Sequence, residues 1–334
     1  MNVFYKKIII LFIIGLVSYL LYRLMKNRKE IISPNYEPFT PNTIQLQNTY
    51  PTTLKLSNYC IKASLNSAYN NYTIDCDPTK SNNRLGIVLN RGVRFLDFEI
   101  YSLGGNPIIG YSTNYDPTNT NNEATNNAKD TFIQLNNVFQ FISLNKPKSI
   151  TDPLFIQLRF KTQLTNIYEK VVSYIQQIFG GALYSGKITG NTVLSEITNK
   201  IIIVVDYQHS NSSYQNSSLQ NSNLVNLEIG NPSLKNIITY TTSNLIKTDR
   251  KRININNDGV TITSNENPPV WTLAYPNVLD TANPDVKTIM INQCPNIIQC
   301  RYDFDDANLA LYESLFTNQG FIPLGSAYSI ATKW

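Results

Sequence analysis

A chain of 334 residues is longer than the usual single domain, but it suits one α/β barrel, which uses ~250 residues or more, plus an appendage. Its 42% hydrophobic and 11% aromatic content, with 21 Tyr and 14 Phe, supplies a sizeable core and excludes a disordered chain. Lys and Arg total 28 against 23 Asp and Glu, with much of the excess at Lys6, Lys7, Arg23, Lys26, Arg28 and Lys29; the nearly neutral remainder, whose one basic cluster is Lys247 to Arg252, excludes a nucleic-acid partner.

In chain order, the first feature is Ile8 to Leu24, IIILFIIGLVSYLLYRL, close to the ~17–25 apolar residues that cross a bilayer. Basic residues flank it and no small-residue cleavage signal follows, so the expectation is an uncleaved N-terminal transmembrane helix in an anchor at 1–30 and a single-pass membrane location. The heavier basic flank after the helix predicts a cytoplasmic domain, whereas N-x-S/T sequons at Asn71, Asn211 and Asn216 would be usable on the other side. Residues 31–50, rich in Pro, Asn and Thr, read as a linker, and the folded domain follows at 51–334.

Short apolar runs of strand length then alternate with helical periodicity. YCIKAS, GVRFLDFEIY, NPIIGYS, DPLFIQLRF, KIIIVVDY, VWTLAYP and KTIMINQC read as strands. DTFIQLNNVFQFISLN, TNIYEKVVSYIQQIF and DDANLALYESLFTNQG read as helices, the last opening on Asp and closing on Gly. Three Asn/Ser/Thr-rich segments, TNYDPTNTNNEATNNAKD, HSNSSYQNSSLQNSN and RININNDGVTITSNENPP, read as long surface loops. Roughly seven or eight strands alternating with helices imply a mainly parallel sheet, with a closed (β/α)8 barrel of the TIM type ahead of an open doubly wound sheet. No Gly-rich phosphate loop follows the first strand, which counts against the open sheet. Cys60, Cys76, Cys294 and Cys300 allow either disulfides or buried thiols; without C-x-x-C spacing and with one histidine they do not read as a zinc site.

Chemistry in such a barrel lies at the C-terminal strand ends. Asp97 and Glu99 are two apart on a strand and share a face, an arrangement that needs a cation or an arginine beside it. The order IKASLNSAY, GVRFLDFEIY, PIIGYS and DPLFIQLRF resembles the catalytic X domain of phosphatidylinositol-specific phospholipase C, over about Leu56 to Phe160. The Tyr302 to Leu324 stretch is similar to that family's closing helix and last strand, and the whole is similar to uncharacterised phospholipase-like proteins of large DNA viruses.

The resemblance implies a phosphoric diester hydrolase fold in which two histidines transfer protons and calcium is held by Asn, Glu and Asp. Mapped here, the general base falls on Leu65 and the general acid on Tyr111, neither a substitute for imidazole. Asn66, Asp97 and Glu99 match calcium-ligand positions, and Arg159 stands where the fourth ligand would be. The expectation is that the Arg159 guanidinium bridges Asp97 and Glu99 in place of an ion, with retained calcium binding at Asn66, Asp97 and Glu99 as the alternative. The sole histidine, His209, follows the KIIIVVDY strand near Asp206; it reads as a solvated loop residue, with a relocated acid or base role as the alternative. The leading functional reading is a membrane-anchored, catalytically inactive phospholipase C-like barrel, without cofactor, that binds a phosphoinositide or other phosphodiester headgroup, a glycan or a protein. Two alternatives stand beside it: an active hydrolase of altered mechanism, and a structural protein of a virion or host membrane.

Overall fold

Strands buried on both faces need a cover on each side, and the chain supplies it by curling a parallel sheet inside a layer of helices. The computed structural model describes residues 19, 54–70, 73–74, 83–110, 132–145, 152–206, 211–229, 237–241, 251–256, 259–264, 271–276, 282–316 and 319–334. The chain divides into two units, Met1–Asn42 and Thr43–Trp334. Apart from Tyr19, which is helical, the expected anchor and linker lie outside the described residues; no helix among the described residues is long and apolar enough to cross a membrane.

The second unit begins with β1 (Tyr59–Ser64), a short hairpin of β2 (Tyr69–Asn70) and β3 (Thr73–Ile74), α1 (Arg84–Asn90), β4 (Phe95–Leu103), β5 (Asn106–Gly110) and β6 (Ile133–Gln134). There follow α2 (Leu135–Asn145), β7 (Leu154–Phe160), α3 (Thr165–Phe179), β8 (Ile201–Asp206), α4 (Asn211–Gln215), β9 (Val225–Ile229) and β10 (Ile237–Thr241). The chain ends with β11 (Lys251–Asn256), β12 (Gly259–Ser264), β13 (Trp271–Tyr275), α5 (Val286–Asn292), β14 (Ile297–Cys300), α6 (Ala307–Phe316), β15 (Phe321–Pro323) and α7 (Leu324–Ala331).

Eight strands form the barrel wall, in the order β10-β13-β14-β1-β4-β7-β8-β9. Every neighbouring pair in that path is parallel. Because β14 lies beside β1, the first and last of the eight in sequence meet and the sheet is curled into a barrel. β9 and β10 approach each other without a ladder among the described residues. This parallel, curled sheet with outer helices fits a TIM-type barrel.

Four sequence expectations need correction. NPIIGYS is not a wall strand: its β5 part returns antiparallel along β4, pairing Gly110 with Glu99. KTIMINQC is helical, because the Asp285 side chain accepts from the Thr288 N–H as an N-cap and Val286, Ile289 and Met290 fall at helical spacing on the buried face. The strand there is β14, which begins three residues after Cys294. RININNDGVTITS is an antiparallel hairpin, β11 with β12, filling the crossover between β10 and β13 where a helix is usual. Finally, the second Asn/Ser-rich segment is not all surface loop, since Tyr214 and Leu219 within it are buried.

Alternation along each strand divides two cores. Ile61, Phe95, Phe155, Ile202, Trp271 and Ile297 point into the barrel, where Phe155 lies 5.8 Å from Phe95 and 5.5 Å from Trp271 between ring centroids. Leu96, Phe98, Ile156, Leu158, Ile203 and Val205 point outward against α2, α3 and their neighbours. Each such fully buried side chain contributes roughly 1.5–3 kcal/mol. Buried asparagines satisfy backbone groups that the sheet leaves over: Asn296 donates to the Ser57 and Tyr59 carbonyls and accepts from Thr272 N–H, and Asn226 does likewise for Tyr184, Gly186 and Ile203. At the N-terminal strand end, Arg94 pairs with Asp152 at 3.0 Å, both side chains almost fully buried.

Candidate functional site

The opposite, C-terminal end of the barrel is polar. Register sets its layers: Asp97 of β4 lies beside Gln157 of β7, and one step higher Glu99 lies beside Arg159, which lies beside Asp206 of β8. All are inward positions by the two-residue period that places Phe95 and Phe155 in the barrel.

Arg159 occupies the centre of this end. Its Nε donates to Asp97 Oδ1 at 2.7 Å and its Nη2 to Asp97 Oδ2 at 2.7 Å, a bidentate pair. The same Nη2 donates to Asn66 Oδ1 at 2.8 Å, and Nη1 donates to Glu99 Oε1 at 2.8 Å. The remaining Glu99 oxygen accepts from the Tyr101 hydroxyl at 2.7 Å. Asn66 arrives from the turn after β1 at φ 45, a left-handed conformation that asparagine tolerates, and its own N–H donates to Asp97 Oδ2 at 2.9 Å. Ser67 fastens that turn to β4: its hydroxyl accepts from Asp97 N–H and its N–H donates to the Asp97 carbonyl.

Burial opposes the charge of Arg159, but Asp97 and Glu99, with a smaller contribution from Asp206, outweigh it and hold the guanidinium well above its ordinary pKa. Lys161, just past the end of β7, shows the reverse: burial, with repulsion from Arg159, pulls its ammonium below the ordinary value although Glu99, Asp206 and Asp97 favour the charge. Across the barrel, the Tyr275 phenol is pushed up by burial and then by Asp206. One layer down, Gln299 of β14 donates to Gln157 across the interior at 3.1 Å.

The chain resembles solved phospholipase C structures. L. pealei PLC21 aligns with a TM-score of 0.56 and 14% identity over 82% of this chain and 38% of that one. S. officinalis PLC21 aligns with a TM-score of 0.58 and 15% identity over 82% of this chain and 37% of that one. The fold is phospholipase C-like. This chain spans less than two fifths of either PLC21 chain. A calcium-dependent phosphatidylinositol-specific phospholipase C from Streptomyces antibioticus also aligns, at a TM-score of 0.47 and 10% identity over 81% of this chain and 99% of that one. No protein-family model and no curated protein sequence matches the chain.

Of the residues singled out from sequence, the structure gathers Asn66, Asp97, Glu99 and Arg159 at one point. Leu65 is buried and apolar beside them, its N–H donating to the Cys300 carbonyl. Tyr111 and His209 lie outside the described residues. Sequence reading missed Lys161, Tyr275, Tyr101 and the Gln157–Gln299 pair. Lys161 was detectable, since it continues the Gln157, Arg159 alternation; Tyr275 was not, because its place depends on β10, β13 and β14 closing the wall.

Calcium does not fit these residues as they stand. Its oxygen donors would be Asn66 Oδ1, Asp97 and Glu99, and the guanidinium already holds all of them at hydrogen-bond distance with its own positive charge. A divalent cation there would meet that charge at contact distance. Among the described residues, no group of three or more His, Cys, Asp or Glu side chains is placed to hold a metal ion.

Proposed function

We propose that this protein is a membrane-anchored, phospholipase C-like barrel that binds a polar headgroup at its mouth, without calcium and without turnover. The observation that carries the reading is the set of four hydrogen bonds from Arg159 to Asn66, Asp97 and Glu99. Opening a phosphodiester by an internal hydroxyl needs one group to take a proton and another to give one, each contributing ~100–10,000-fold. Leu65 can do neither, and the two carboxylates are committed to the guanidinium and the Tyr101 hydroxyl. The apolar run Ile8 to Leu24 supports the anchor, and lipid headgroups and membrane glycans are the polar ligands that an anchored chain would meet.

One observation favours a catalytic alternative: Lys161 is buried at the same mouth, where burial pulls its pKa below the ordinary lysine value. The two readings separate in an assay of the full chain in mixed micelles of detergent and phosphatidylinositol, with and without calcium. The expected result is no inositol phosphate release above background, together with saturable binding of glycerophosphoinositol by calorimetry. Turnover that disappears in Asp97→Ala or Lys161→Met overturns the binding-only reading, and absence of binding overturns the headgroup.

A further inference from the structure

We draw no further inference here: the strongest candidate, the buried Arg94–Asp152 pair at the N-terminal end of the barrel, where Arg94 Nη2 and Asp152 Oδ1 make no hydrogen bond, carries nothing because those two atoms are the complementary second half of one bidentate arginine–carboxylate pair and so point to no ligand.

Discussion

Replacing Arg159 with alanine tests whether the guanidinium is the resident cation of the mouth. It would leave Asp97, 0% exposed, and Glu99, 3% exposed, as adjacent buried carboxylates without the group that bridges them. Removing one partner of a buried ion pair costs about 3–5 kcal/mol, because the other charge stays desolvated. The Thr43–Trp334 unit holds about 290 residues, so its unfolding entropy is near 0.6 kcal/mol per kelvin and the melting temperature should fall by roughly 5–8 °C. The vacated oxygens of Asn66, Asp97 and Glu99 then converge on open space, and calcium should restore part of the loss. At ten times its Kd the ion would contribute ~1.4 kcal/mol, or roughly 2 °C. The assay is thermal denaturation of wild type and Arg159→Ala in detergent, with calcium chloride against potassium chloride of equal ionic strength. The wild type should not respond to calcium. If it is stabilised by calcium and Asp97→Asn abolishes the effect, the arginine does not occupy the ion's role. If Arg159→Ala melts with the wild type, the four hydrogen bonds are not what holds the carboxylates.

Two further outcomes follow from the same physical arguments. Cys300, Tyr302 and Tyr312 are fully buried, and burial is the chief cause that raises each well above its ordinary pKa. The unfolded chain releases these protons near pH ~9 to ~10 while the folded chain keeps them, so stability is whole below that window and falls as pH rises through it, by up to ~4 kcal/mol per pH unit; urea midpoints between neutral and alkaline pH measure it, and a flat profile refutes it. Asn199 is exposed and sits at φ 61, where a Cβ-bearing residue other than Asn is strained, so Asn199→Ala should lower stability by about 1 kcal/mol and Asn199→Gly should not. Equal melting temperatures for the two variants would refute that argument.

What the sequence made legible followed local pattern. Long apolar strands such as FLDFEIY, LFIQLRF and IIIVVD are buried on both faces, and α3 carries its apolar residues at helical spacing without a break, so both were readable. Strands β9 and β10 are short and lie beside Asn/Ser-rich segments, which hid them. In β11 and β12 the Ile and Asn or Thr residues alternate with period two, a strand signal that overall polarity concealed. Asparagine is only partly legible: the resemblance singles out Asn66, but nothing local marks Asn226, Asn283 and Asn296, which satisfy buried backbone groups. At the mouth, two-residue spacing placed Asp97 with Glu99, and resemblance to the phospholipase C family pointed to Asn66 and Arg159. Asp206 ends a readable strand and meets Arg159 through the β7–β8 ladder, whereas Tyr275 reaches the same point only through the closing of the wall, which no local pattern encodes.

The placement of Arg159 also explains why the mouth can be polar while the rest of the interior is not. Below it, Phe95, Phe155 and Trp271 fill the barrel with aromatic rings, and a carboxylate layer directly above them would be unstable if uncompensated. In a site that binds a metal, the compensating charge arrives with the ion, so the geometry of the carboxylates depends on occupancy. Here the charge is covalently part of β7, and its register against β4 and β8 sets Glu99, Arg159 and Asp206 in one row. The carboxylates are therefore held before any ligand arrives, at the cost of the positions that could have polarised a phosphate. The polar groups of such a mouth are fixed by hydrogen bonds within the fold rather than by an incoming ion.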